Sequence, residues 1–160
     1  MIFITLGSQK FQFNRLLNDV DKMIEKYRLS EEVFAQIGYS DYLPKHFKYQ
    51  KFIDREQFQR KMGAADLVIT HGGTGAIISA LKANKKVIAC PRLSKYGEHV
   101  DDHQKQIIYE FAKMGYITPY YESDDLLNII EKASRKKIKQ YQSNTKQYIN
   151  SISKYINGLK

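Results

Sequence analysis

The chain has 160 residues, 42% of them apolar, and a formal net charge of +9 from 26 basic and 17 acidic side chains. That length suits one domain with a proper core, and no apolar run approaches the roughly 18 residues of a transmembrane helix. A single cysteine, Cys90, excludes an internal disulfide framework and points to a reducing compartment, while the positive balance favours anionic partners such as nucleotides or acidic lipid headgroups.

Met1-Ile2-Phe3-Ile4-Thr5 lacks a basic start and enters a strand at once, unlike a signal peptide. Residues 2–6 read as a strand broken by Gly7-Ser8-Gln9. From about Asn14, the positions Leu16, Leu17, Val20, Met23, Ile24 and Tyr27 recur at helical spacing. Residues 32–37 predict a second strand and residues 47–53 a third. Asp54 is placed to cap a helix through Gln57, Phe58 and Met62, which Gly63 stops. Residues 67–69 form a buried strand that runs into a glycine-rich turn and a helix reaching about Asn84. Residues 87–90 are another buried strand, 91–98 a loop, and a helix follows with Val100, Ile107, Phe111 and Met114 on one face. Residues 116–119 give the last strand, and Ser123 or Asp124 caps a helix carrying Leu126, Leu127, Ile129 and Ile130.

Strands alternating with helices imply an α/β fold: a Rossmann-like parallel sheet with helices on both faces, spanning residues 1–134. Residues 135–160 differ. Arg135-Lys136-Lys137-Ile138-Lys139 is a basic knot. Ile138, Tyr141, Thr145, Tyr148, Ile152, Tyr155 and Leu159 then mark one apolar stripe along an amphipathic helix of about six turns. The stripe packs on the domain's own sheet, covers a partner, or pairs two copies of the chain.

The chemistry centres on Asp66-Leu67-Val68-Ile69-Thr70-His71-Gly72-Gly73-Thr74-Gly75-Ala76. Gly72, Gly73 and Gly75 permit positive φ and close approach of a ligand. Thr74 can cap a helix starting near Ala76, whose free N–H groups suit an anion. His71 sits on the rim, within reach of a phosphate or a sugar hydroxyl. The spacing is neither the G-x-G-x-x-G of a dinucleotide site nor a G-x-x-x-x-G-K-[ST] loop, and a plain strand-to-helix turn is the competing reading. Ligands of open α/β sheets lie beyond the carboxyl ends of the strands. There Gly7-Ser8-Gln9, His71 to Gly75 and residues 92–104 converge. Arg92 and Lys95 bring positive charge, Asp102 and Gln104 bring acceptor and donor groups for hydroxyls, and Glu98, His99 and His103 titratable groups at a helix start. His99 and His103, four apart, could face one ion, but no second ligand cluster accompanies them and no metal is expected. No Ser-His-Asp set is legible, and nothing reads as a groove-entering helix or an aromatic sheet for nucleic acid.

Three segments carry a resemblance. They are Ile4-Thr5-Leu6-Gly7-Ser8-Gln9 with Phe13-Asn14-Arg15-Leu16-Leu17; Val68-Ile69-Thr70-His71-Gly72-Gly73-Thr74-Gly75; and Pro91-Arg92 through Tyr96-Gly97-Glu98-His99-Val100-Asp101-Asp102-His103-Gln104. Together they resemble the C-terminal, donor-binding half of GT-B glycosyltransferases of the family 28 kind, over residue 1 to about 133. The match looks most like the separate donor-binding subunits of two-component enzymes. One branch is the catalytic subunit of the eukaryotic UDP-GlcNAc transferase of dolichol-linked oligosaccharide synthesis. The closer branch is the bacterial β-1,4-galactosyltransferase and glucuronosyltransferase subunits of capsular and exopolysaccharide synthesis.

The resemblance implies an inverting hexosyltransferase that uses a UDP-sugar as donor and no cofactor or metal. Gly72, Gly73, Thr74 and Gly75 would hold the diphosphate with His71 nearby, Gly7, Ser8 and Gln9 would line the donor, Arg92 or Lys95 would stabilise departing UDP, and Asp102, His103 and Gln104 would meet the sugar. Ser79 stands where related enzymes place a carboxylate for the ribose hydroxyls. The base for the acceptor is Glu98, His99 or His103, or belongs to a partner. That partner would be a membrane-associated subunit binding a lipid-linked saccharide and docked on the C-terminal helix. The chain would then be cytoplasmic, at the inner face of the membrane, with the basic knot close to it. A non-catalytic module supporting a true transferase, and a Rossmann-type nucleotide enzyme, are the alternatives.

Overall fold

The computed structural model of the chain describes residues 1–158. Within them lie strands β1 (Ile2–Thr5), β2 (Val33–Gln36), β3 (Lys48–Gln50), β4 (Leu67–His71), β5 (Lys86–Cys90) and β6 (Thr118–Pro119). Helices α1 (Asn14–Tyr27), α2 (Arg55–Ala64), α3 (Thr74–Lys82), α4 (Gln104–Lys113) and α5 (Leu126–Arg135) alternate with them, and α6 (Thr145–Asn157) follows. All strands pair in parallel in one sheet, in the order β3-β2-β1-β4-β5-β6.

Each central strand is apolar on both sides, as a parallel sheet covered by helices demands. Ile2, Ile4, Leu67, Ile69 and Ile88 meet Leu16, Leu17, Val20 and Ile24 of α1 and Leu126 and Ile130 of α5 in one core. Their neighbours Phe3, Val68, Val87 and Ala89 meet Met62 of α2, Ile77, Ala80 and Leu81 of α3 and Ile108 of α4 in the other. The α/β architecture read from the sequence is therefore the one observed.

Several boundaries move, each for a local reason. Asp54 does cap α2, accepting from Gln57 N at 2.7 Å, but Gly63 lies inside that helix and Ala65 ends it. α3 starts at Thr74 with Gly73 at its cap, so the Thr74 hydroxyl caps nothing. Asp125 caps α5 through Asn128 N at 3.0 Å; Asp124 is occupied by Tyr121 N at 2.7 Å. Val100 lies before α4 and is exposed.

The C-terminal helix is about half the predicted length. Residues 136–144 form no helix, because their side chains are tied to the edge of the domain. Lys136 Nζ donates to Ile117 O and Lys139 Nζ to Met114 O, and Tyr141 packs edge-on against Tyr116 with centroids 5.6 Å apart. α6 itself buries none of its residues, and Tyr148, Ile149, Ile152, Tyr155 and Ile156 are all exposed. The part of the stripe on α6 is therefore not buried against the domain's own sheet, although Tyr141 is packed there; the last member, Leu159, lies outside the described residues. No described helix is long and apolar enough to cross a membrane.

Removing the true cap of α5 should be measurable. Asp125→Ala is expected to cost about 1 kcal/mol in urea denaturation, while Ser123→Ala leaves the midpoint unchanged.

Candidate functional site

Strand order reverses between β1 and β4, and crevices of open α/β sheets form at that point. Thr5 and Thr70 are register partners there, and Thr70 Oγ1 donates to Thr5 O at 2.8 Å. The next residue, His71, lies between the loop after β1 and the turn after β4. A Cβ placed on Gly7 would stand 2.8 Å from His71 Cε1, and one on Gly73 would stand 2.2 Å from Nε2. Gly72 has the same problem with Gln104, whose Cβ would be 2.7 Å away. The turn glycines are therefore fixed by close approach. Positive φ, expected at Gly72, Gly73 and Gly75, occurs at none of them; it falls instead on Gly7, at +74°.

Gly75 differs, since a Cβ there would meet nothing within 4 Å. It occupies the exposed first turn of α3. The first helical bond runs from Ile77 N to Gly73 O, so the N–H groups of Thr74, Gly75 and Ala76 precede the ladder and need an outside acceptor. No side chain at position 75 covers them. This is an anion-ready helix start.

Behind it sit two buried basic groups. His71 is 7% exposed, and burial, with the Arg92 charge adding to it, pulls its pKa down to about 4. The ring is neutral at pH 7. Its Nδ1 faces Thr70 Oγ1 at 3.4 Å, which turns Nε2 toward Gly73. Arg92 is 1% exposed, so it cannot contact a ligand directly as the sequence suggested. Burial lowers its pKa to about 10, which still leaves it charged. Its Nη2 donates to Leu6 O at 2.7 Å and Phe11 O at 3.3 Å, while Nε and Nη1 have no partner among the described residues. The guanidinium rests over Phe13, 5.5 Å from the ring centre.

The loop from Arg92 to Gln104 supplies braces more than contacts. Glu98 is wholly buried; it accepts from Arg15 Nε at 3.0 Å, Arg15 Nη2 at 2.9 Å and Leu93 N at 2.9 Å. Both of its oxygens are thus already engaged within the protein. Gln104, also buried, accepts with its one Oε1 from Gly72 N at 3.0 Å and Arg92 N at 3.1 Å. Through that oxygen it fixes the glycine turn. Asp102 accepts from Ser94 N at 2.8 Å and Ser94 Oγ at 2.9 Å and pairs with Lys105. The Ser94 N–H is the largest influence holding its carboxyl well below the usual range. Lys95 is paired with Glu122, which also accepts from Tyr96.

His99 lies in the loop and not on a helix, and both it and His103 turn their Nδ1 toward Asp101. Ser8, Gln9 and Thr74 remain exposed at the rim. Ser79 is not brought to the turn: it lines a separate surface cavity with Phe58, Gln59 and Met62 of α2.

Sequence reasoning missed two features. The Arg15–Glu98 clasp ties α1 to the loop, and its one signal was a charged residue beside Leu16 and Leu17. Tyr39 and Phe52, just past the ends of β2 and β3, form an exposed edge-to-face pair with centroids 5.2 Å apart; aromatic residues near the carboxyl ends of the two predicted strands were the available clue.

A parallel sheet with a glycine turn at its switch point and an open helix start is the Rossmann-like fold of a GT-B half. The family described as Glycosyltransferase family 28 C-terminal domain matches residues 1–158, and the chain belongs to it. It is similar to the UDP-N-acetylglucosamine transferase subunit ALG13 of Saccharomyces cerevisiae, 43% identical over 53 residues, 33% of this chain and 24% of that protein. With the Candida glabrata protein of the same name it shares 29% identity over 106 residues, 66% of this chain and 44% of that one. The chain thus spans less than half the length of these relatives. Among solved structures, the NMR structure of ALG13 superposes with a TM-score of 0.58 at 19% identity, covering 89% of each chain. The calicheamicin glycosyltransferase CalG4 gives 0.61 at 14% identity, over 84% of this chain and 34% of that enzyme. MurG of Acinetobacter baumannii gives 0.58 at 18%, over 94% and 48%. These likenesses show the fold: the chain corresponds to between a third and a half of the larger enzymes.

Two outcomes follow from the buried groups. His71 is protonated in the unfolded chain near pH 6.5 but in the folded one only near pH 4. Stability therefore falls as pH drops through that window, by roughly 3 kcal/mol from this group. The urea-derived stability difference between pH 7 and pH 4 is expected to shrink by about that amount in His71→Asn. Glu98→Gln leaves the Arg15 charge poorly paired and is expected to cost about 3 kcal/mol by the same measurement.

Proposed function

We propose that the chain is the donor-binding subunit of a two-component, inverting glycosyltransferase that takes its hexose from a UDP-sugar. The observation that carries this reading is the open start of α3. Its N–H groups are left uncovered by Gly75, and the incompletely partnered Arg92 charge lies buried close enough to act on His71 at the same turn. The diphosphate would lie on that helix start, against Gly72, Gly73, Thr74 and Gly75, with the rim residues Ser8 and Gln9 beside it. Arg92 would act on departing UDP through space. Helix start and buried cation together supply the positive charge that leaving-group departure needs, so no metal takes part in the transfer. Tyr39 and Phe52 offer a stacking face for the base. They lie beyond strands two and three places from β4, roughly 10–14 Å across the sheet, a span suited to a nucleoside diphosphate.

The acceptor side is assigned to a second protein. A lipid-linked saccharide would be held by a membrane-associated partner, which docks on the exposed apolar face of α6. Sequence resemblance to bacterial subunits supports a role in capsular or exopolysaccharide synthesis, at the cytoplasmic face of the membrane. The relatives named as UDP-N-acetylglucosamine transferase subunits support a UDP-sugar donor without fixing the sugar. With Glu98 locked against Arg15, the base for the acceptor hydroxyl is assigned to the partner.

The test is thermal stabilisation by UDP, with ADP and NAD as controls. A ligand that binds only the folded state raises stability by about 2.7 kcal/mol at a hundredfold excess over its Kd. UDP is expected to raise the melting temperature selectively. Gly75→Glu should abolish the rise while leaving the free protein as stable as before, because that side chain enters open space and its carboxylate competes for the helix start. A rise with NAD or ADP but not UDP would overturn the reading.

A further inference from the structure

We propose that His99, Asp101 and His103 form a binding site for one transition-metal dication of the Zn2+ class. The three residues stand at alternate positions of the loop before α4, with His103 at the helix cap. A helical spacing would have offered two imidazoles alone; the observed loop adds a carboxylate between them. His99 Nδ1 lies 3.3 Å from Asp101 Oδ1, and His103 Nδ1 contacts the same oxygen. One ligand atom from each residue falls within 4.8 Å of the other two. A tetrahedral ion with bonds near 2.0–2.1 Å sets its ligand atoms about 3.3 Å apart, so small adjustments of these side chains would enclose one.

The site is ordered in advance. The His99 side chain is 9% exposed, and Phe11 packs against its ring with centroids 4.8 Å apart. The His99 and His103 rings meet edge to face, also at 4.8 Å. Two imidazole nitrogens and one carboxylate oxygen suit Zn2+, Co2+ or Ni2+, whereas Mg2+ and Ca2+ prefer all-oxygen shells. Three protein ligands leave a fourth position for water or a ligand oxygen. An ion here would stiffen the segment whose neighbouring residues, Asp102 and Gln104, brace Ser94 and the glycine turn. All three ligands come from this loop, so the test of the site does not depend on the donor reading above.

The full chain, stripped with a chelator, is titrated with Co2+ and then Zn2+. One equivalent of Co2+ is expected to develop visible d–d absorption of a low-coordinate nitrogen–oxygen site, bleached on adding one equivalent of Zn2+. His99→Gln and His103→Gln should each weaken binding tenfold or more, roughly. Asp101→Asn, at an exposed position that spares the fold, should weaken it with an unchanged urea midpoint. His46→Gln, which removes the imidazole paired with Asp21 elsewhere, should have no effect. Absence of saturable Co2+ binding, binding unchanged in Asp101→Asn and in both loop histidine variants, or binding lost with His46→Gln alone would overturn the proposal.

Discussion

An imidazole fills the gap between the first and fourth strands, and the geometry of the crevice depends on it. His71 reaches both flanking loops, and each loop must be glycine where it passes the ring. Larger residues would push the loops apart; a smaller one at position 71 would let them collapse. The ring also brings a polar edge into a place that apolar packing would otherwise seal. Thr70, bonded to the carbonyl of its partner strand, leaves its oxygen facing Nδ1 and so sets which edge of the ring looks toward the turn.

Around that ring the protein keeps polar groups buried and braced by single atoms. One amide oxygen of Gln104 joins the turn after β4 to the residue after β5. One carboxylate, Glu98, joins α1 to the same loop. Arg92 bonds carbonyl oxygens, with two of its nitrogens unpartnered among the described residues. A buried, incompletely satisfied cation disfavours the free protein and favours any state in which an anion approaches.

The strand, turn and helix at residues 66–76 were legible because apolar runs, glycines and a helix start are local signals. Why those glycines are there was not, since Gly73 answers to His71 and Gly72 to Gln104, thirty-two residues away. Residues 92–104 looked like a row of ligand contacts. Sequence carries no sign of which way a side chain turns, and Glu98 and Gln104 turn inward to satisfy backbone and guanidinium donors. The C-terminal stripe misled for a related reason. Its period continues through Ile138 and Tyr141, but Lys136 and Lys139 gain carbonyl partners along the sheet edge, and an extended path wins over a helix there.

The placement of the basic knot gives the molecule a polarity. Lys136 and Lys137 gather with Lys85 and Lys86 around a small cleft where β5 begins. The crevice opens where the strands finish. A five-residue strand separates the two ends by roughly 17 Å. An anionic surface drawn to those lysines would touch the foot of the sheet, while the mouth of the crevice would look away from it. A ligand in the crevice and an anionic surface on the lysine cluster would therefore lie at opposite ends of the sheet and share no plane of contact.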